Sequence, residues 1–195
     1  MKRCEWCGED ELYMSYHDQV WGVPVTDEHQ LFEFLILEGA QAGLAWITIL
    51  RKREGYRKLF ADFDPAKVAR FTDKKLDKLL ENPAIVRNRL KVYSARQNAQ
   101  AFLLIQKEFG SFGNYIWGFV DHQPIQNTVR SLQQIPGNTA LSDAISKDLK
   151  KRGFNFVGST IMYAFMQATG MVNDHITTCY RYDECAALGL NTVAF

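Results

Sequence analysis

The chain has no long hydrophobic run, almost no net charge and few helix breakers. Its longest nearly continuous apolar stretch, Leu44 to Leu50, is interrupted by Thr48 and falls far short of the ~20 residues that a membrane-spanning helix needs. No apolar segment follows the charged start Met1-Lys2-Arg3, so neither a signal peptide nor a membrane anchor is expected, and a cytoplasmic protein is. With 23 Lys plus Arg against 22 Asp plus Glu the net charge is +1, so bulk electrostatics argues neither for nor against a nucleic-acid partner. Cysteine is limited to four residues, Cys4, Cys7, Cys179 and Cys185. A reducing compartment keeps such thiols from pairing, which favours metal binding or packing over disulfides. No repeat, low-complexity tract or clear linker divides the 195 residues, and 47% hydrophobic content suffices for one core.

What is present is helical patterning nearly throughout. Leu31, Phe34, Leu35 and Glu38 share one helical face, and a second helix is expected after Gly43, with Trp46, Ile49 and Leu50 inward and Arg51 to Arg53 outward. Gly39 and Gly43 read as breaks between the two. Asp64-Pro65 and Thr72-Asp73 read as helix starts, and Asn88 to Phe109 as the longest helix, stopped by Gly110. Ser111 is expected to cap a helix through Val120, Ser142 one to Arg152 and Ser159 one to Thr169. Residues 121 to 138, with Pro124, Pro136 and Gly137, form an extended connection. No strand pattern persists long enough for a sheet. The expectation is a single all-α domain over 1–195 whose ends meet.

That meeting is suggested by two thiol and imidazole pairs, Cys4 with His17 and His175 with Cys179, placed at the chain's two ends. Zinc takes four such ligands in a closed tetrahedron, and the i, i+4 spacing of the second pair puts both side chains on one face of a helical turn. Buried thiols and hydrogen-bonded core histidines would account for the same residues, and Cys7 or Cys185 offers an alternative ligand.

Basic residues cluster at Arg51 to Lys58, Arg87 to Arg96 and Lys147 to Arg152, each compatible with a solvated helix face. The third cluster leads into Gly153-Phe154-Asn155-Phe156-Val157-Gly158-Ser159-Thr160, a short turn bounded by glycines before a new helix. Such a turn suits a backbone-phosphate clamp. Glycine permits close approach, the helix start offers unpaired N–H groups, and Lys151, Ser159 or Thr160 can add donors. An ordinary helical hairpin is the plainer alternative.

Five segments, Arg3-Cys4-x-Trp6, Tyr16-His17-Asp18-x-x-Trp21-Gly22-Val23-Pro24, Glu38-Gly39-x-Gln41-Ala42-Gly43-Leu44-x-Trp46, Lys150 to Gly158 and Val172-Asn173-Asp174-His175, together resemble one family of helix-hairpin-helix DNA glycosylases. It is the bacterial 3-methyladenine DNA glycosylase I family. The resemblance covers most of the chain and leaves out the tail after Cys179.

It implies hydrolytic removal of N3-methylated adenine from double-stranded DNA without a strand-cleaving step, by a monomer. A helix-hairpin-helix is implied over about 142–170, with Lys151, Gly153, Gly158, Ser159 and Thr160 on the DNA backbone. A single structural zinc on Cys4, His17, His175 and Cys179 is implied to join the termini. The resemblance assigns Glu38 to reading the cationic base, Tyr16 and Trp46 to stacking it, Trp6, Tyr13 and Trp21 to the adjoining wall, and Gly43 and Leu44 to a small wedge in the DNA. Where the wider superfamily keeps a catalytic aspartate this chain has Asn173, with Asp174 displaced by one residue. A zinc-stabilised DNA-binding module without chemistry, or a hydrolase using zinc-bound water, would be the competing assignments.

Overall fold

A computed structural model describes residues 1–189 and bears out an almost wholly helical chain. The part of the expected tail beyond 189 lies outside the described residues. A turn of 3-10 helix, Glu5–Cys7, precedes α1 (Glu11–Gln19) and α2 (Glu28–Gln41). Short helices α3 (Trp46–Leu50), α4 (Arg53–Leu59), α5 (Pro65–Val68) and α6 (Asp73–Leu80) lead to α7 (Arg89–Phe109), the longest, and α8 (Phe112–Trp117). After a connection come α9 (Ala140–Lys151), α10 (Ser159–Ala168) and α11 (Arg181–Leu188).

Local chemistry sets most of these boundaries. Asp10, Asp27, Asp64, Thr72, Asn88 and Ser111 each accept a hydrogen bond from the backbone N–H three residues on, satisfying a donor that the helix start would otherwise strand. α2 is the axis of the core, with every residue from Leu31 to Ala40 buried, and it packs against α7, α8 and α10. A helix apolar on all sides belongs inside a domain. No described helix is long and apolar enough to cross a membrane.

Five expectations are corrected. His175 and Cys179 lie in the non-helical segment between α10 and α11, not on a helical turn. Gly39 does not break α2; it lies inside it, where a Cβ would stand 3.1 Å from the Phe156 Cβ, so this glycine serves close packing. The cap of α9 is Thr139, not Ser142, which sits three residues later and completes a reciprocal capping box. Gly158 holds the cap position of α10, and Ser159 is its first residue, hydroxyl to hydroxyl with Ser142 at 2.8 Å. Arg53 turns inward, its guanidinium 2.8 Å from the buried Glu33 carboxylate, which Arg57 also binds. An apolar neighbourhood makes a lone Glu33 costly, and the two arginines offset that cost.

The connection after α8 is more than a spacer. Its β1 (Ile125–Gln126) pairs in parallel with β2 (Val172–Asn173), Ile125 opposite Val172 and Gln126 opposite Asn173. This is a two-stranded sheet of two residues a side, too short to leave a strand pattern in the sequence, and it pins this loop beside the C-terminal segment. Part of the expected tail is helical as well, since α11 buries Cys185.

Candidate active site

A cavity of about 300 Å3 opens between α1, α2, α3 and α10, lined by Trp6, Tyr13, Tyr16, Trp21, Glu38, Gln41, Trp46, Leu132, Ile135, Ala164 and Gln167. All six residues assigned above to the base are therefore brought together. Glu38 and Gln41 are i and i+3 on α2, and Ala164 and Gln167 are i and i+3 on α10, so each helix turns one face to the cavity. Leu132 and Ile135 arrive from the connection, held near by the β1–β2 pairing. These two, with Gln41, Ala164 and Gln167, were not singled out by sequence. Only Gln41, one turn past Glu38, had a periodicity that pointed to it.

The aromatic residues form a continuous wall. Trp6 stands edge-on to Tyr13 at 5.1 Å and to Trp21 at 4.9 Å, and Tyr16 meets Trp46 at 5.4 Å with their planes tilted by 52°. The indole nitrogens of Trp6 and Trp46 are buried without hydrogen-bond partners among the described residues. Unclaimed donors of this kind are rare in cores and cost about 1–3 kcal/mol each.

Glu38 is 4% exposed and accepts no hydrogen bond from a described residue. Burial alone pushes its carboxyl up to about 8, because the aromatic surroundings disfavour the charged form. Tyr16 is raised well above an ordinary phenol, first by burial and then by the Glu38 charge. The cavity is thus built to hold a group that brings its own positive charge.

Behind Trp6 and Trp21 lies the second cluster. The ligand atoms of Cys4, His17, His175 and Cys179, all buried, lie within 4.8 Å of one another. Cys179 Sγ is 3.4 Å from His17 Nε2 and 3.6 Å from His175 Nδ1, and Cys4 Sγ is 3.6 Å from His175 Nδ1. These three distances match the sulfur–nitrogen edges of a tetrahedron with metal–sulfur bonds of about 2.3 Å and metal–nitrogen bonds of about 2.0 Å, while the set as a whole spreads to 4.8 Å and would draw in around an ion.

The outer nitrogens support the fit. His17 Nδ1 meets the Asp18 carboxylate at 2.8 Å and His175 Nε2 meets the Trp21 carbonyl at 3.1 Å, so each ring donates outward and turns a lone pair inward. Asp18 is itself held by Arg3. The thiols are unequal: Cys179 lies well below an ordinary thiol because Cys4 donates to it, and Cys4 lies well above. Gly22, at φ +81°, makes room, since a Cβ there would sit 3.0 Å from His175 Nε2. Cys7 is no member of the set; its Sγ donates to the Cys4 carbonyl.

The two regions share a wall. Trp21 stands edge-on to His175 at 4.7 Å, and Trp6 lies 5.4 Å from His17. At the cavity's other side Gly43, at φ +79°, and the 40% exposed Leu44 form the turn after Gln41, and Lys91 Nζ binds the carbonyls of Ala40 and Ala42 beneath it. The hairpin residues do not line the cavity. Lys151, Gly153 and Thr160 are exposed on the turn between α9 and α10, with Gly158 and Ser159 partly buried there, and α10 runs from that turn to Ala164 and Gln167.

Of the three basic clusters, two are largely spent on intramolecular contacts. Arg51 binds Asp10, Arg53 and Arg57 bind Glu33, Arg89 binds Asp77 and Arg96 binds Asp73. In the third, Arg152 is held by Glu108 and Asp148, while Lys147, Lys150 and Lys151 are exposed and form no ion pair with a described residue. Asn173 and Asp174 are buried away from the cavity lining: Asn173 joins Gln126 to the Tyr182 carbonyl, and Asp174 accepts from Asn127, Tyr163 and Gln167.

Comparison with known proteins places this arrangement. Residues 6–182 match the model of a family described as methyladenine glycosylase. The chain is 50% identical over 182 residues to DNA-3-methyladenine glycosylase 1 of Escherichia coli strain K12, covering 93% of this chain and 97% of that protein. A crystal structure of 3-methyladenine DNA glycosylase I superposes with a TM-score of 0.90 at 51% identity, over 92% of this chain and 98% of that one. A Tyr-to-Phe variant of 3-methyladenine DNA glycosylase I, solved in complex with 3-methyladenine, superposes with a TM-score of 0.89 at 36% identity, over 92% and 97% of the two chains.

Proposed function

Since the chain belongs to the methyladenine glycosylase family, we propose how its parts divide the work of removing 3-methyladenine from alkylated DNA. The reaction is hydrolysis of the bond between the base and deoxyribose C1′, giving free base and an abasic site. Methylation at N3 leaves the adenine ring cationic, so breaking that bond neutralises the ring and needs little acid assistance. Selection of the base then matters more than protonation of it. Among the described residues no lysine lines the cavity, and no strand-cleaving step through a Schiff base is proposed.

The single observation that carries this reading is the buried, unpartnered Glu38 carboxyl in an aromatic cavity of base size. An extruded cationic base supplies the charge that Glu38 lacks. Its carboxylate accepts from the base edge, while Tyr16 and Trp46 lie against the ring faces, each good cation–π contact being worth about 0.5–2 kcal/mol. A neutral adenine gives Glu38 no such partner. Glu38 is the catalytic residue in the sense of touching the reacting base, since developing charge on the sugar is also of the sign it favours.

Zinc on Cys4, His17, His175 and Cys179 is structural: four protein ligands close the tetrahedron and leave no position for a reactive water. Those residues join the N-terminal segment to the segment after α10 and fix Trp6 and Trp21 in the cavity wall. The turn before α10 holds the backbone of duplex DNA as a helix-hairpin-helix clamp, through the α10 N–H groups, Thr160 and the exposed lysines. Gly43 and Leu44 enter the gap left by the extruded nucleotide. The protein acts as a monomer in the cytoplasm, where thiols stay reduced.

Methylated duplex DNA incubated with the protein should release 3-methyladenine, detected by chromatography, and Glu38→Gln should reduce the rate at least about a hundredfold. Unchanged release by that variant would remove Glu38 from the site.

A further inference from the structure

One cavity residue is held by a group that does not itself reach the base. Gln167 Nε2 donates to Asp174 Oδ2 at 2.8 Å. The same oxygen accepts from the Tyr163 hydroxyl at 2.7 Å, and Asp174 Oδ1 accepts from Asn127 Nδ2 at 2.7 Å. Asp174 is 1% exposed, and both oxygens are engaged by side chains from α10 and from the 121–138 connection. A carboxylate only accepts. The Gln167 amide must therefore turn its NH2 to Asp174, and its Oε1, which accepts from no described residue, is left for the cavity that Gln167 lines.

We propose that Gln167 is a specificity-determining residue, its amide oxygen accepting a hydrogen bond from the exocyclic amine of the extruded adenine, and that Asp174 is the positioning residue that dictates which end of the amide is presented. The inference rests on the glycosylase reading above. Adenine carries a donor where guanine carries a carbonyl acceptor, so an acceptor fixed at this place favours methylated adenine over methylated guanine. Glu38 alone does not fix that choice, because its raised proton affinity lets the same carboxyl donate or accept. Gln167 has no such freedom, because its amide nitrogen is held on Asp174 Oδ2.

The test measures binding of free 3-methyladenine and of 3-methylpurine, which lacks the amine, by quenching of the cavity tryptophans. Wild-type protein should prefer 3-methyladenine, and Gln167→Met should lose at least about tenfold of that preference with 3-methylpurine affinity held within about twofold. Asp174→Asn keeps its oxygen on Asn127 and presents an NH2 to Tyr163 and Gln167, so the amide reverses and the preference should fall similarly. A residue that only supported the fold would weaken both ligands together. Gln167→Met leaves Asp174 and Tyr163 bonded to each other and decides the matter whatever the stability of Asp174→Asn. A full preference in Gln167→Met overturns the proposal while wild-type release of 3-methyladenine from DNA leaves the glycosylase reading standing; absence of that release overturns the reading beneath it.

Discussion

The cysteine–histidine cluster and the aromatic cavity share the Trp6–Trp21 wall and differ in one respect, the satisfaction of their polar atoms. In the cluster both outer imidazole nitrogens have acceptors, Asp18 is braced by Arg3, the inner His17 Nε2 accepts from the Cys4 N–H, and the four ligand atoms lie within 4.8 Å of one another. In the cavity Glu38 accepts no hydrogen bond from a described residue, and the buried indole nitrogens of Trp6 and Trp46 have no partner among the described residues. A folded chain tolerates groups left unpaired in this way only where something else completes them, at a cost in stability. In the proposed arrangement one zinc ion completes the cluster, while the cavity is completed only by a ligand that comes and goes.

The sharpest break in that comparison removes the ion. Structural zinc contributes apparent binding free energies of about 10 kcal/mol or more, comparable to a whole domain's stability of about 5–15 kcal/mol. Exhaustive chelation, or Cys179→Ala, should therefore lower the melting temperature by more than about 15 °C. Calorimetry with metal analysis checks this, and a chelated protein that melts as before while losing activity would make the metal catalytic.

Glu38→Gln should act in the opposite sense. Its folded-state carboxyl lies above the ordinary value, so the proton is favoured by the fold; the stability it contributes is full below about pH 4.5 and is lost as pH rises through about 8. The glutamine variant should thus melt higher than wild type at pH 9 and no higher at pH 4. Catalysis on methylated DNA should rise with pH toward 8 in wild type as the carboxylate forms, and that limb should vanish from the residual activity of the variant. Equal melting curves at pH 9 would mean that Glu38 is solvated.

How much of this was legible in advance follows the chemistry of the side chains. Paired Cys and His at the two ends of the chain are distinctive enough to suggest a shared site from their chemistry, whereas Glu38 and the aromatic wall were assigned through the family resemblance. Leu132, Ile135 and Ala164 are ordinary residues whose role comes from the β1–β2 pairing and the angle of α10, neither of which leaves a pattern in sequence. Gly39 misled because glycine for close packing looks like glycine for termination; only Phe156, 117 positions later, distinguishes them. Ser142 misled because Thr139 and Ser142 are both good caps and the box uses both.

A smaller effect separates the cavity from the DNA clamp. Lys147, Lys150 and Lys151 form no ion pair with a described residue, whereas Arg152 beside them is held twice. Lys151→Ala should weaken binding to undamaged and damaged duplexes alike, by a few-fold, and reduce the slope of log affinity against log salt by about 0.9. An unchanged slope in fluorescence titrations at several salt concentrations would place the backbone contact elsewhere.

The smallest expected effect falls on the shared wall. Trp21 lines the cavity, is 8% exposed, and presses its ring against His175 and Trp6. Trp21→Phe keeps an aromatic face and sheds the second ring, a loss of about 1 kcal/mol in a site that can partly close. If Trp21 mainly supports the cluster, the melting temperature should fall by a few degrees while 3-methyladenine release stays within about threefold. If it mainly forms the base wall, release should fall by ten times or more at an unchanged melting temperature, and the boundary between the finished region and the unfinished one would have to be moved back to His17 and His175.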